Sequence, residues 1–243
     1  MTPIEDPFQA VVESLDPEAL SAEFRAQGSF VFLERFLPEP WVEALTTEVR
    51  GCADAVRRAW FPTLRKAGTV SRYTLDARAP GLMGLYGSPA FRALLGRIAH
   101  VPLMPKVRED AHAAALYWYD RSGDHVGWHY DACGCEDAVS FTATVGLINQ
   151  TASQLHVQLH SADKARDPED RFYAMSPGSL VFFAGTRARH RVTPLAEGEE
   201  RVVCSFAFIR EGERLVGWRR LAQNAKDGLL YFGPGALFQK NYR

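Results

Sequence analysis

The chain lacks any long hydrophobic run: no stretch of its 243 residues approaches the roughly eighteen consecutive apolar residues that a membrane-spanning helix needs. Its beginning has neither the basic start nor the apolar segment of a secretory leader. From these absences we expect a cytoplasmic protein without a membrane partner. They exclude no class of chemistry, because function is set by a site and not by solubility.

Cysteine and excess charge are also scarce. Four cysteines in a chain of this length are too few for a disulfide framework, so we expect Cys52, Cys133, Cys135 and Cys204 to be reduced thiols. The pair at 133 and 135 has no second pair at zinc-ribbon spacing, which argues against structural zinc. A net charge of -1 offers no electrostatic footprint for nucleic acid, and no such partner is expected.

The sequence does contain enough apolar material for one core. Hydrophobic residues make up 47% of the chain, and a length of 243 residues does not require two domains. We predict a single domain over 1–243. It would consist of N-terminal helical and loop decoration at 1–110, a β core at 111–210 and a C-terminal tail at 211–243.

Two helices are indicated before residue 111. The first follows Pro38 and repeats apolar residues at helical spacing as far as Val56. The second begins at Ser88 and Pro89, an N-cap residue followed by proline in the first turn. Between them, 61–87 mixes glycine, proline, arginine and serine with scattered apolar residues. We predict a long irregular segment there, of a length that is often functional.

From about residue 111 the pattern changes to short alternating runs broken by turns. The candidate strands are 113–119, 125–131, 139–148, 155–160, 172–175, 179–183, 189–192 and 201–209. About eight short strands at this spacing are typical of a double-sheet jelly roll. The predicted fold class is mostly β with flanking α-helices: a double-stranded β-helix of the jelly-roll, cupin-like kind.

A histidine and a carboxylate stand two positions apart in one of these candidate strands. His129 and Asp131 point to the same side of an extended strand, and His190 follows 59 positions later (190 minus 131). A single histidine is more often an ordinary surface or core residue than a ligand. Two histidines and a carboxylate in this arrangement are typical of a non-haem Fe(II) site with three open positions. We predict that these three residues are the metal ligands and the catalytic centre.

The residues around these ligands resemble a known family. The motifs are Gly127-Trp128-His129-Tyr130-Asp131, Pro177-Gly178-Ser179-Leu180-Val181-Phe182-Phe183 and His190-Arg191-Val192-Thr193-Pro194, followed by Arg201. Together they resemble the Fe(II)/2-oxoglutarate-dependent dioxygenases, most closely their prolyl-hydroxylase-like branch. The resemblance is strong over 119–209 and weak outside it.

The resemblance implies a reaction. Fe(II) would be the metal, 2-oxoglutarate and O2 the co-substrates, and succinate and CO2 would be released as an unactivated C–H bond of a substrate is hydroxylated. Desaturation and cyclisation begin with the same hydrogen abstraction and stay open. Family members that halogenate lack the carboxylate found here at Asp131 and place halide on the iron, so halogenation is not expected.

Arg201 is the candidate for holding the co-substrate. Its planar, permanently charged guanidinium suits a carboxylate, and its spacing from His190 matches where the family binds the distal carboxylate of 2-oxoglutarate. A surface ion pair is the alternative. Many relatives carry serine two positions after this arginine, whereas here Ser205 stands two positions further on, and a hydroxyl contact there stays open. Tyr119 either donates to the co-substrate, as its spacing in the family implies, or fills the core.

Substrate contacts are predicted in two places. Thr142 and Thr144 form the small, polar face of their strand and are candidate pocket lining. The segment 61–87 would close over the iron and present Arg72 or Tyr73 to the substrate. Such closure favours a small-molecule substrate. The tail beyond residue 210, where relatives also diverge, is a further candidate for selectivity.

Two alternatives use the same residues. A hydroxylase acting on a protein or peptide would share the metal ligands and the arginine. A non-catalytic jelly-roll binding protein would share the fold. The sequence leaves the substrate, the oxidised carbon and the oligomeric state open.

Overall fold

A computed structural model describes residues 6–107, 110–131, 139–213, 217–218, 222 and 231–232. The α-helices are α1 (Gln9–Glu13), α2 (Pro17–Ala26), α3 (Glu39–Arg50), α4 (Arg72–Arg78), α5 (Pro80–Gly87) and α6 (Pro89–Ala99). The strands are β1 (Phe30–Leu33), β2 (Arg57–Phe61), β3 (Arg65–Ser71), β4 (Leu103–Pro105), β5 (Ala114–Tyr119), β6 (His125–His129), β7 (Phe141–Gln150), β8 (Leu155–Leu159), β9 (Glu169–Tyr173), β10 (Leu180–Ala184), β11 (Arg189–Val192) and β12 (Glu200–Arg210).

The strands form one curled, antiparallel sheet. Its order is β1-β10-β7-β12-β5-β3-β6-β11-β8-β9, with β2 added at β3 and β4 at β12. Most neighbouring strands in the sheet are not consecutive in the chain, as in a jelly roll, where long connections cross between the two halves. The predicted fold class is confirmed, and each of the eight candidate strands overlaps an observed strand. The candidate at 189–192 has the same ends as β11, whereas 172–175 shares only two residues with β9.

The prediction of an irregular segment at 61–87 is wrong. β2 and β3 form a hairpin there, and α4 and α5 follow it. Glycine is typical of a loop, but Gly68 lies inside β3. A side chain has no room there, because an added Cβ would come within 2.4 Å of Val56 Cγ1. The interpretation of 1–110 as decoration also needs correction, since β1, β3 and β4 pair with strands of the β core.

The main core lies between the sheet and the helices. Along β12, the side chains of Val202, Cys204, Phe206 and Phe208 alternate into this core, packing with residues of α3, α5 and α6. Burying a phenylalanine side chain such as that of Phe206 contributes roughly 1.5–3 kcal/mol to the free energy of unfolding. The other face of β12, with Arg201, Val203, Ser205 and Ala207, turns toward the inside of the curl.

The described residues include two of the four cysteines. Cys52 and Cys204 are buried, free thiols, while Cys133 and Cys135 lie outside the described part of the chain. Among the helices that the structure describes, none combines the length and apolar character needed to cross a membrane.

Candidate metal centre

His129, Asp131 and His190 come together inside the curl of the sheet. β6 ends at His129, and His190 lies opposite it in the pairing of β11 with β6. The Nε2 atoms of His129 and His190 lie 3.5 and 3.7 Å from Oδ1 of Asp131. All three ligand atoms are within 4.8 Å of one another. Ligand atoms that share one metal with bonds of about 2 Å are about 3 Å apart at adjacent positions and about 4 Å apart at opposite ones. The separations from Asp131 Oδ1 fall in this range, so small side-chain movements would let one divalent ion bind all three residues.

Backbone hydrogen bonds orient both imidazole rings. Nδ1 of His129 lies 2.9 Å from the carbonyl oxygen of Gly127, and Nδ1 of His190 lies 3.0 Å from that of Ala188. A carbonyl oxygen only accepts, so each Nδ1 carries the proton and donates it. Each Nε2 then keeps its lone pair for a metal, which is the arrangement that metal-binding histidines adopt.

The charges of the site also suit a metal. Burial lowers the pKa of His190 to about 4, with His129 adding to the shift and Asp131 opposing it. Burial opposes ionisation of Asp131, but the neighbouring histidines and a hydrogen bond from Thr142 outweigh it and hold the pKa of this carboxyl well below its usual range. At neutral pH His190 is neutral and Asp131 is charged, which are the metal-binding forms.

The three ligands open onto a cavity of about 150 Å³. Its other polar and charged lining residues are Lys106, His112, Tyr117, Tyr119, Tyr130, Ser140, Thr142, Thr144, Arg201, Ser205 and Tyr231. The structure therefore brings most of the sequence-predicted site residues to one place: the three ligands, Tyr119, Thr142, Thr144, Arg201 and Ser205.

Arg201 lies in the cavity wall with only 2% of its surface exposed. Its Nε and Nη1 atoms have no hydrogen-bond partner among the described residues. Tyr119 is its cross-strand partner on β5, and the guanidinium carbon lies 5.8 Å from the centre of the Tyr119 ring. Burying N–H groups without acceptors is costly, so an arginine in this position fits an incoming carboxylate.

Ser205 is held by a threonine across the sheet. Its Oγ lies 2.5 Å from Oγ1 of Thr144, and the two residues are partners in the pairing of β12 with β7. Both hydroxyls line the same cavity as Arg201. A contact between Ser205 and a co-substrate carboxylate stays a prediction.

Arg72 and Tyr73 are placed differently from the expectation. Both lie in α4, and neither is among the cavity-lining residues. The Nη1 atom of Arg72 donates to the carbonyl oxygens of Lys106 and Val107, at 3.2 and 3.3 Å, and its Nε lies 3.5 Å from Asp76. Arg72 thus fixes the backbone that leads to the cavity residue Lys106.

A buried arginine that the sequence interpretation missed lies beside the cavity. Arg65 is 1% exposed, and its Nε and Nη1 atoms have no hydrogen-bond partner within the described part of the chain. Its guanidinium carbon lies 5.5 Å from the Tyr117 ring centre and 4.3 Å from that of Tyr231, and both of these tyrosines line the cavity. The alternation of β3 was the available signal, since Arg65, Ala67 and Thr69 share its buried face.

The tail contributes one described residue to the site. Tyr231 lines the cavity, and its carbonyl oxygen accepts a hydrogen bond of 2.7 Å from Thr69. Its ring centre is 4.6 Å from that of His112. The expectation that the tail helps to build the pocket is supported at this residue, and most of the rest of 211–243 lies outside the described residues.

Comparison with protein families gives a match over residues 12–134, to the family described as HalD, Halogenase D. The match spans slightly more than half of the 243 residues, and the chain belongs to this family. It includes His129 and Asp131 and ends before His190 and Arg201. No curated protein sequence matches the chain.

Solved structures show the same fold. The non-heme alpha ketoglutarate dependent carbocyclase SnoK from nogalamycin biosynthesis is 15% identical with a TM-score of 0.69, over 90% of each chain. The epimerase SnoN, in complex with Fe3+, alpha ketoglutarate and nogalamycin RO, is 16% identical with a TM-score of 0.67, over 84% of this chain and 90% of that one. EctD from S. alaskensis, with 2-oxoglutarate and 5-hydroxyectoine, is 13% identical with a TM-score of 0.63, over 82% of this chain and 77% of that one. At these identities the likeness shows that the chain shares the fold of these proteins.

Proposed function

We propose that this protein is an Fe(II)- and 2-oxoglutarate-dependent oxygenase that hydroxylates an unactivated C–H bond of a small-molecule substrate. The main support is the ligand set of His129, Asp131 and His190, within 4.8 Å of one another. They share one cavity with Arg201, whose Nε and Nη1 atoms have no hydrogen-bond partner among the described residues. Imidazole and carboxylate donors suit Fe(II). With the co-substrate bound, the iron supplies the oxidising chemistry, so that R–H, O2 and 2-oxoglutarate become R–OH, succinate and CO2.

The side chains divide the work of binding and orientation. The two imidazoles and the carboxylate hold the metal, and their backbone hydrogen bonds keep the rings aligned before it arrives. Arg201 receives the distal carboxylate of 2-oxoglutarate through its guanidinium, whose Nε and Nη1 atoms lack partners in the described residues. Because Arg201 is buried, water competes poorly for that carboxylate, and the co-substrate is held in one orientation.

Hydroxylation is favoured over the halogenation that names the family. In the resemblance described above, halogenating members lack the carboxylate and place a halide on the iron instead. Here Asp131 is present, its Oδ1 faces both histidines, and its backbone N–H donates to the carbonyl oxygen of Gly185 at 2.9 Å. The position that a halide would need therefore already carries a charged ligand.

We further propose that the substrate carries an anionic group that binds Arg65. No carboxylate among the described residues pairs with this guanidinium, whereas Lys106, which lines the cavity, lies 3.5 Å from Asp110. A buried charge without a counter-charge costs several kcal/mol. An acidic substrate beside Tyr117 and Tyr231 would remove that cost and would gain an oriented hydrogen-bond donor.

A turnover assay tests this function. The purified protein with Fe(II), O2 and 2-oxoglutarate is offered a panel of small carboxylic acids and the matching methyl esters, and succinate and product mass are measured. We expect an acid, and not its ester, to stimulate succinate release and to gain one oxygen atom. Failure of every acid, with stimulation by a peptide, would support the protein hydroxylase instead. A product containing a halogen atom would contradict hydroxylation, and no succinate under any condition would support a non-catalytic protein.

A further inference from the structure

Asp131 has contacts besides those with the two histidines that fix its position. Its Oδ2 accepts a hydrogen bond of 2.6 Å from Oγ1 of Thr142. Its backbone N–H donates to the carbonyl oxygen of Gly185 at 2.9 Å. A Cβ added at Gly185 would come within 2.6 Å of the Asp131 Cβ and 3.2 Å of Oδ2. The absence of a side chain at Gly185 therefore leaves room for the side chain of Asp131.

The direction of the hydrogen bond is set by chemistry. An ionised carboxylate only accepts, so the hydroxyl of Thr142 must donate. A hydrogen bond of 2.6 Å to a charged oxygen belongs to the short, strong class. With Oδ2 engaged in this way, Oδ1 is the oxygen that remains near Nε2 of both His129 and His190.

Thr142 is rigidly placed because its strand has neighbours on both sides. In the sheet, β7 lies between β10 and β12, and Thr142 is opposite Phe183 on one and Ala207 on the other. Threonine also has few side-chain rotamers, since it is branched at Cβ. Thr144, two positions along the same face, is hydrogen-bonded to Ser205 instead.

We propose that Thr142 is a positioning residue for the metal-binding carboxylate, and not the substrate contact that its place in the cavity suggests. Its hydroxyl occupies Oδ2 and presents Oδ1 alone to the metal, and Gly185 leaves the room for that orientation. This assignment rests on the proposed function for the metal itself. It assigns different roles to two neighbouring threonines: Thr142 serves the metal, and Thr144 serves the wall near the co-substrate.

Metal binding in three variants tests the assignment. Apparent dissociation constants for Co(II), a spectroscopic substitute for Fe(II), are measured anaerobically by titration of the visible absorption bands. Thr142→Val keeps the shape of the side chain and removes the donor; we expect affinity to fall about 10- to 100-fold, the usual cost of losing such a supporting hydrogen bond. Thr142→Ser should restore most of it. Thr144→Val, the matched control, should bind Co(II) as the wild type does.

Two further readouts separate positioning from folding. The position and intensity of the Co(II) bands should change in Thr142→Val, because a carboxylate that is free to turn can bind through both oxygens; they should not change in Thr144→Val. Gly185→Ala should also weaken Co(II) binding, whereas Gly87→Ala, where an added Cβ meets nothing within 4 Å, should not. Melting of the metal-free proteins shows whether each variant is folded.

Wild-type Co(II) affinity and bands in a folded Thr142→Val protein, or an equal loss in Thr144→Val, would overturn the assignment. If Thr142→Val does not fold, Thr142→Ser and Gly185→Ala decide it: wild-type affinity in Gly185→Ala, or weak binding in Thr142→Ser, overturns it. A wild-type protein that binds Co(II) but never releases succinate would contradict the proposed function while leaving the role of Thr142 intact.

Discussion

His190 lies directly opposite His129 in the antiparallel pairing of β11 with β6, and the centres of their imidazole rings are 4.2 Å apart. Directly opposed residues in antiparallel strands place their side chains on the same face of the sheet. Residues that are 61 positions apart (190 minus 129) therefore form one metal-binding face once these strands pair. A metal that binds this face should in return stabilise the folded protein.

The first prediction is that metal raises the free energy of unfolding and that His129→Ala abolishes the effect. An ion present at 100 times its dissociation constant stabilises a folded protein by about 2.7 kcal/mol if it does not bind the unfolded chain. Anaerobic urea denaturation with and without Co(II) measures this. His125→Ala is the control, because His125 lies on the same strand outside the ligand set. A metal-dependent gain in folded His129→Ala protein would disprove the ligand assignment.

Local periodicity was enough to predict which residues face the cavity, while the roles of these residues stay predictions. His129 and Asp131 are two positions apart near the end of one strand, and the alternation of β12 places Arg201 and Ser205 on the cavity side and Phe206 in the core. A period of two is a property of any extended strand and needs no knowledge of the rest of the fold. The face of each residue could therefore be predicted before its neighbours were known.

The parts that could not be predicted depend on distant contacts. Gly68 is typical of a loop, yet it lies in a strand because Val56 and Trp118 leave no room for a side chain. Arg65 is charged, and charged residues are expected at the surface, yet it is buried against tyrosines from β5 and from the tail. Neither environment can be read from neighbouring residues in the chain.

The second prediction concerns Arg201. Removing one partner of a buried charged pair costs about 2 to 5 kcal/mol, so Arg201→Ala should raise the 2-oxoglutarate requirement by about 30-fold to several thousand-fold. Co(II) binding should be unchanged. Arg191→Ala is the matched control, because Arg191 stacks on Trp128 at 4.8 Å and does not line the cavity. The titration of succinate release against 2-oxoglutarate measures both, and an unchanged requirement in Arg201→Ala would mean that another group binds the co-substrate.

The third prediction separates a substrate role for Arg65 from a structural one. Arg65→Met keeps most of the volume and removes the charge, and replacing an unpaired buried charge by an apolar side chain should leave stability equal or higher. Stimulation of turnover by the substrate should be lost, while slow 2-oxoglutarate consumption without substrate persists. Lys66→Met, whose Nζ donates to Ser122 at 2.5 Å, should behave as the wild type. Marked destabilisation of Arg65→Met with retained stimulation would show that Arg65 supports the fold instead.

The last prediction is that chloride can take the place of the Asp131 carboxylate when that carboxylate is removed. Asp131→Gly takes away the only anionic ligand and leaves the Thr142 hydroxyl facing the space beside Gly185. A chloride ion in that space would restore the lost charge and accept the hydrogen bond that Oδ2 accepts in the wild type. We therefore expect Co(II) to bind Asp131→Gly weakly in sodium nitrate and several-fold more tightly in sodium chloride at the same ionic strength. Wild-type protein should bind Co(II) equally in both salts, because Asp131 already fills the site. Adding Thr142→Val to Asp131→Gly should reduce the chloride effect, since the hydrogen-bond donor is gone. Equal affinities of Asp131→Gly in the two salts would show that the space is closed to halide, and that more than this one carboxylate keeps halide from the metal.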